Sequence, residues 1–142
     1  GFELCREGVD GHAHLRRAFN RPVPQLEAGK LLAPEVHAMM DVSDGLLLDA
    51  KRMAQASGLM VEIDLSTLPV SHDYQVLRGN NLESRMAAAS WGDDYQLLFA
   101  TSTRDIPVDA TLVGGFWPGE GINLRYGSEA VPLPASLGFE HR

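Results

Sequence analysis

The sequence has 142 residues, 44% of them hydrophobic and 22% charged, with a net charge of −7 at pH 7. A chain of this length fits one domain that buries about two-thirds of its unfolded surface. It shows no apolar run near the ~18 residues of a membrane span and no signal-peptide pattern, so we expect no membrane contact. The single cysteine, Cys5, suits a reducing cytoplasm. The acidity and the lack of a basic patch argue against a nucleic-acid partner. A phosphate substrate would need a cation as mediator.

The first half of the chain predicts helices and strands from apolar spacing, prolines and glycines. The predicted elements are helices at 12–19, 25–33 and 46–57, and strands at 36–42 and 59–65. Pro24 is expected at the first position of the second helix, which Pro34 ends. The third helix has an apolar face opposite a polar one. The apolar face is formed by Leu46, Leu47, Ala50, Met53 and Ala54, and the polar face by Asp49, Lys51, Arg52 and Gln55.

The second half predicts two short helices, 71–77 and 82–90, with Ser71 and Asn81 as their caps. A strand at 95–100 is apolar on both faces and is therefore expected inside a sheet. Residues 111–126 predict a hairpin around the turn 118–121, and a further turn at 127–129 leads towards Ala130 and Val131. Helices and strands mix without strict alternation, which favours an α+β fold with helices on a mixed sheet.

The stretch from Met40 to Asp49 concentrates the polar chemistry. Asp41 lies at a predicted strand end, and Ser43 and Asp44 lie in the turn before a helix. The N–H groups and dipole of a helix start favour an anion, either a side-chain carboxylate or a bound phosphate. Two carboxylates three residues apart suit Mg²⁺, which completes its shell with water and substrate oxygens. The spacing favours equally a plain helix cap by Ser43 or Asp44 beside a solvated Asp41.

A second acidic stretch places Asp93 and Asp94 between a helix end and an apolar strand. Negative charge at a helix C-terminus is mildly unfavourable, so a substrate or metal contact at a sheet edge would explain it. Ordinary turn chemistry is the other explanation and the better one on residue types alone, since Asp is common in turns.

Three stretches, in this order, resemble the C-terminal half of the thiamine-monophosphate kinase family. They are Asp41-Val42-Ser43-Asp44-Gly45-Leu46-Leu47-Leu48-Asp49, Gly92-Asp93-Asp94-Tyr95-Gln96-Leu97-Leu98-Phe99 and the tail Gly138-Phe139-Glu140-His141. The resemblance implies transfer of the γ-phosphoryl of ATP to thiamine monophosphate with Mg²⁺, giving thiamine diphosphate. It also implies the superfamily of aminoimidazole ribonucleotide synthetase, with a three-layer α/β/α domain of partial ferredoxin-like topology.

Carried over residue by residue, the resemblance implies Mg²⁺ ligands at Asp41 and Asp44 and an ATP-phosphate contact at Ser43. It implies substrate contacts at Asp93 and Phe139. Two features depart from the family pattern. Asp93 stands where Glu is common, which shortens the side chain by a methylene, and the aromatic residue that often ends the family's tail is absent.

The family has two domains, and the chain matches only the second. Residues 1–20 are therefore expected to continue from a missing N-terminal domain, and residues 21–142 to form the C-terminal domain. The missing domain would supply most metal carboxylates, much of the nucleotide site and the interface of a homodimer. Because phosphoryl transfer depends on positioning and charge neutralisation, we expect the chain alone to be inactive. The alternatives are another ATP-dependent member of the superfamily, such as a hydrogenase-maturation or selenophosphate-forming enzyme, and a non-catalytic binding or regulatory module.

Overall fold

The computed structural model describes residues 13–139. Its elements are α1 (Ala13–Asn20), α2 (Leu26–Leu32), β1 (Ala38–Asp41), α3 (Leu46–Ala56), β2 (Leu59–Asp64), α4 (His72–Arg78), α5 (Leu82–Ala89), β3 (Leu97–Ala100), β4 (Gly114–Pro118), β5 (Gly121–Tyr126) and β6 (Glu129–Val131). Every helix and strand predicted within this range is present, although several are shorter than predicted. None of the helices in this range is long and apolar enough to cross a membrane.

Side-chain caps set the starts of two helices, as predicted. Ser71 accepts a hydrogen bond from the backbone of α4, and Asn81 and Ser84 exchange hydrogen bonds in a capping box at the start of α5. The start of α2 differs from the prediction. Its N-cap is Gln25, whose φ of −85° and ψ of 42° are not helical. Pro24 therefore precedes the helix instead of occupying its first position.

The strands form two sheets. β1 and β3 pair antiparallel, and the other four strands form a mixed sheet in the order β4-β2-β5-β6. The prediction that β3 lies inside a sheet is wrong, because β1 is its one strand partner among residues 13–139. Other elements cover its apolar side chains: a Cβ added at Gly29 of α2 would lie 3.7 Å from Leu97. An apolar run indicates that a strand is buried, but it does not show how many strands pair with it.

β4 and β5 do not form the predicted hairpin, because β2 lies between them. β2 pairs antiparallel with β4 and parallel with β5, so that Leu59 faces Pro118 and Met60 faces Gly121. Two strand spacings measure about 9.6 Å, and three peptide links span about 10 to 11 Å at most. The short connection from Pro118 to Gly121 is therefore just long enough to cross the end of β2. The next turn does form a hairpin, between β5 and β6.

Helix α3 organises the core, because it contacts β2 and β5 of one sheet and β1 of the other. The buried apolar side chains are Val42, Leu46, Leu47, Ala50, Met53, Ala54, Val61, Ile63, Leu65, Ala89, Leu98, Ile122 and Leu124. The predicted α+β class with a mixed sheet is confirmed. Since α3 packs on both sheets, it fixes the turn that precedes it, residues 41–45.

Asp64 ends β2 and is buried, although it lies on the face of β2 opposite the core. Its carboxylate accepts hydrogen bonds from Ser66 N and Oγ at 2.9 and 2.7 Å and from Gly127 N at 3.1 Å. Arg125 pairs with its other oxygen at 2.8 Å. Burial by itself raises the pKa of Asp64, but these hydrogen bonds and the Arg125 charge outweigh burial and lower it.

Asp64→Asn is expected to lower the free energy of unfolding by about 2 to 4 kcal/mol at pH 7. Because the folded-state pKa lies below the unfolded value, the ionised group stabilises the fold above the unfolded pKa of 3.8 and loses this effect as pH falls further. Urea denaturation from pH 7 to pH 3 should therefore show the wild type and the variant converging below pH 4. The exposed Asp109, changed to Asn, serves as the control. A difference between wild type and Asp64→Asn that stays constant with pH would contradict the assignment.

Candidate functional site

The turn at residues 41–45 joins β1 to α3 and depends on glycine. Asp41 is the exposed last residue of β1. Gly45 is the N-cap of α3 with φ of 114°, and a Cβ there would lie 3.0 Å from the backbone of Ser90. Both the backbone angle and the close contact exclude other residue types. The alternative in which Ser43 or Asp44 caps the helix is wrong, because neither occupies the cap position.

Asp49 holds this turn, and the helical spacing assigned it to the wrong face. It is predicted on the polar side of α3, yet its side chain is fully buried. Its Oδ2 accepts the backbone N–H of Ser43 at 2.9 Å and of Asp44 at 3.0 Å. The sequence predicts a side-chain carboxylate or a bound phosphate at the start of this helix. In the structure the carboxylate of Asp49 binds the two N–H groups before the helix. The signal for this role is its position four residues before the buried Met53, which places both on one face of the helix.

Asp44 is held by an arginine. Its side chain is 13% exposed and pairs with Arg52, with 2.5 Å between Oδ2 and Nη1. The same Nη1 donates to Asp49 Oδ1 at 2.9 Å, so one guanidinium bridges two carboxylates. The hydrogen bond to Asp44 is the main cause that raises the pKa of Arg52, which stays charged. Asp44 is therefore a place where the molecule already holds a cation.

Two distant stretches reach this turn through backbone hydrogen bonds. Asp93 N donates to Ser43 O at 2.9 Å, and Tyr95 N donates to Val42 O at 2.9 Å. From the C-terminal segment, Phe139 N donates to Asp44 O at 2.8 Å. The structure therefore brings the five predicted site residues into one region: Asp41, Ser43, Asp44, Asp93 and Phe139. The rest of the tail, residues 140–142, lies outside the described residues.

Two glycines make these approaches possible. A Cβ at Gly92 would lie 2.5 Å from Ser43 O, and a Cβ at Gly138 would lie 2.3 Å from Asp44 O. Both distances are shorter than any side chain tolerates. The glycine that opens the second acidic stretch and the glycine of the tail are thus required by contact with the turn.

The loop after Gly92 has an unusual backbone. Asp93 and Tyr95 have φ of 65° and 54°, which is uncommon for residues other than glycine. The Tyr95 hydroxyl donates to Asp93 Oδ1 at 3.1 Å, and this bond raises the pKa of Tyr95. Asp94 lies at the surface, and its pKa is raised to about 6. Partial desolvation is the main cause and the negative charge of Asp93 is the second. Positive φ at residues other than glycine occurs in turns and at binding sites alike, so the backbone angles by themselves fit both explanations of this loop.

Three aromatic side chains near the turn are open to solvent. Trp91 is 48% exposed, Tyr95 40% and Phe139 61%. Trp91 is anchored at the turn, because its carbonyl oxygen would lie 3.3 Å from a Cβ at Gly45. Exposed aromatic faces beside carboxylates suit a ligand that is itself flat or positively charged.

The acidic turn suits a shared metal ion better than a closed metal centre. Among residues 13–139 no group of three or more His, Cys, Asp or Glu side chains comes together to hold a metal by itself. Mg²⁺ needs only one or two protein carboxylates when phosphate oxygens and water complete its shell. Asp41 at the strand end and Asp44, which already holds a guanidinium, fit such a shared ion.

Fold and site together define an α+β domain whose acidic turn receives a glycine-led loop and the C-terminal segment. The family model described as AIR synthase related protein, C-terminal domain, matches residues 8–124. The chain therefore belongs to this family.

Several curated relatives are thiamine-monophosphate kinases. That of Caulobacter vibrioides is 31% identical over 148 aligned positions, and the alignment covers 95% of this chain and 42% of the relative. That of Rhodopirellula baltica is 37% identical over 152 aligned positions, and the alignment covers 99% of this chain and 48% of the relative. The chain thus spans a little under half the length of these relatives.

Solved structures agree with this relationship. The thiamine monophosphate kinase of Aquifex aeolicus superposes with a TM-score of 0.75 at 32% identity, over 87% of this chain and 44% of that one. AaThiL complexed with AMPPCP and TMP gives 0.79 at 30% identity, over 96% and 46%. The hydrogenase maturation protein HypE of E. coli gives 0.59 at 20% identity, which shows a shared fold alone.

Proposed function

We propose that the chain is the C-terminal half of a kinase that transfers the γ-phosphoryl of ATP to thiamine monophosphate, giving thiamine diphosphate with Mg²⁺. The observation that carries the proposal is the meeting of three stretches at the backbone of Ser43 and Asp44. The resemblance assigns metal and phosphate contacts to one of these stretches and substrate contacts to the other two. Relatives named thiamine-monophosphate kinase, and a related structure with AMPPCP and TMP, support the reaction.

The acidic turn serves the phosphate end of the reaction in this proposal. Asp41 and Asp44 hold Mg²⁺, and the Ser43 hydroxyl donates to an ATP phosphate oxygen. Bound Mg²⁺ neutralises phosphate oxygens during phosphoryl transfer. That neutralisation is needed in a chain with a net charge of −7, which otherwise repels polyphosphate.

The second loop and the tail serve the thiamine end. The thiazolium ring of thiamine monophosphate is a flat cation, and the exposed face of Phe139 offers a surface on which such a ring can stack. Asp93 supplies the opposite charge. The Tyr95 hydroxyl fixes the orientation of the Asp93 carboxylate through the 3.1 Å hydrogen bond.

The remaining parts of the machinery belong to a domain outside this chain. Residues 1–20 connect to that N-terminal domain, residues 21–142 form the second domain, and the complete protein is a cytoplasmic homodimer. The described residues supply too few carboxylates for a complete metal site. Because phosphoryl transfer also needs the positioning groups of that domain, the 142-residue chain alone does not catalyse it.

The test joins the chain to its natural upstream sequence and measures ATP consumption with and without thiamine monophosphate. Wild type is expected to turn over only with thiamine monophosphate. Asp44→Asn is expected to lower kcat/KM by about 100-fold, as loss of an electrostatic contact to the reacting groups does. Asp105→Asn, at an exposed position outside the three stretches, is the control and should match wild type. No thiamine-dependent turnover would refute the kinase proposal, and full activity of Asp44→Asn would refute the metal assignment.

A further inference from the structure

We propose that Arg52 is an internal cation that competes with the divalent metal for Asp44 and hands this carboxylate over when the metal binds. The inference rests on the proposed function, because it takes Asp44 as a metal ligand. It adds a residue that the resemblance does not assign. Arg52 acts on the metal through Asp44 and is therefore a positioning residue.

The geometry shows why Arg52 fits this role. Its Nη1 lies 2.5 Å from Asp44 Oδ2 and 2.9 Å from Asp49 Oδ1, so it binds an outer and an inner carboxylate at once. The inner one, Asp49, is completely buried and accepts two backbone N–H groups with its other oxygen. The outer one, Asp44, keeps 13% of its side chain exposed to solvent. Only the outer carboxylate can serve an incoming ion.

Charge explains why the Arg52 guanidinium lies between Asp44 and Asp49. Arg52 follows Asp49 by three residues and reaches back toward the start of α3. A positive charge near a helix N-terminus is unfavourable against the helix dipole. The two carboxylates offset this, and the guanidinium in turn neutralises Asp44.

Release of Asp44 costs little free energy, because Arg52 keeps Asp49 as a partner. When Asp44 turns to a metal ion, the bond from Nη1 to Asp49 remains. The Arg52 side chain is 45% exposed, so water can replace the lost bond. The exchange therefore swaps one cation for another at Asp44 and leaves the buried Asp49 paired.

The test joins the chain to its natural upstream sequence and measures Mn²⁺ binding by electron paramagnetic resonance of the free ion. Arg52→Gln removes the charge but keeps an amide that can donate to Asp49, and it is expected to tighten Mn²⁺ binding about fivefold, the upper range for an exposed ion pair. Arg52→Lys keeps the charge without the two-carboxylate bridge and should lie between wild type and Arg52→Gln. The matched control is Lys51→Gln, which removes the same charge one residue earlier and should bind as wild type does.

A second measurement follows the exchange directly. Addition of Mg²⁺ to the isotope-labelled protein should shift the guanidinium resonances of Arg52, and the amide of Ser43, held by Asp49, should keep its protection from hydrogen exchange. In the Asp44→Asn background, Mn²⁺ binding should be weaker and should no longer depend on the residue at position 52. Circular dichroism confirms that each variant is folded, and if Arg52→Gln is not, Arg52→Lys alone must still exceed wild type.

The outcomes separate the two proposals. Mn²⁺ binding that depends on Asp44 but is equal or weaker in the Arg52 variants overturns the role of Arg52 and leaves the metal assignment in place. Absence of Asp44-dependent binding in every variant overturns both. Equal tightening in Lys51→Gln and Arg52→Gln also overturns the inference, since it would reflect net charge alone.

Discussion

Asp49→Ala is expected to lower the free energy of unfolding by about 3 to 5 kcal/mol. The variant removes the acceptor for the backbone N–H groups of Ser43 and Asp44 and one of the two carboxylates that hold Arg52. It also opens a space in a site that is fully buried. A domain of ordinary stability has only about 5 to 15 kcal/mol to lose, so the effect will be plain in urea denaturation.

The matched control for Asp49→Ala is Asp41→Asn. Asp41 lies in the same turn but is exposed, so its change should alter stability by no more than about 0.5 kcal/mol. Hydrogen exchange gives a residue-specific readout: the amides of Ser43 and Asp44 should be protected in wild type and lose protection in Asp49→Ala before the rest of the chain does. A loss below about 1 kcal/mol, the net value of a single hydrogen bond, together with unchanged protection, would show that Asp49 does not hold the turn.

The sequence predicts the elements of this domain better than their pairing, because periodicity and caps are local. The period of α3 and the capping residues of α4 and α5 lie within the elements that they define. The prediction that β4 pairs with β5 is wrong because the short connection at 118–121 can either close a hairpin or cross one strand. Which of the two occurs depends on the position of β2 in the sheet. No residue in the connection itself records that choice.

The candidate site shows the same division. The predicted residues Asp44 and Phe139 are adjacent in the structure through a backbone hydrogen bond, although neither stretch predicts contact with the other. The roles of Asp49 and Arg52 are missed because a helical face separates apolar from polar residues and does not show which polar side chain turns inward. Asp49 lies one helical turn before Met53 on the buried face. Two N–H donors of the preceding turn offset the free energy that burial of its carboxylate costs. That complementarity appears only once the turn has been built.

Gly92→Ala is expected to lower the free energy of unfolding by about 2 to 3 kcal/mol and to separate the two acidic stretches. A Cβ at position 92 would lie 2.5 Å from the carbonyl oxygen of Ser43, and neither backbone can yield without breaking a hydrogen bond. The bond most affected is that from Asp93 N to Ser43 O, 2.9 Å long. In the protein joined to its upstream half, the displaced Asp93 should raise KM for thiamine monophosphate more than it lowers kcat.

Two other glycines separate contact from backbone effects in this experiment. Gly58 has φ of 65° and no atom within 4 Å of an added Cβ, so Gly58→Ala tests the backbone angle alone and should cost about 1 to 2 kcal/mol. Gly29 lies inside α2, where a Cβ meets Leu97 at an ordinary 3.7 Å, so Gly29→Ala should stabilise the chain by about 0.5 to 1 kcal/mol. The expected order of stability is Gly29→Ala, wild type, Gly58→Ala and Gly92→Ala. If Gly92→Ala is as stable as wild type and keeps the Asp93 amide protected from exchange, the two stretches do not meet as closely as the structure places them, and the convergence that supports the proposed function loses its basis.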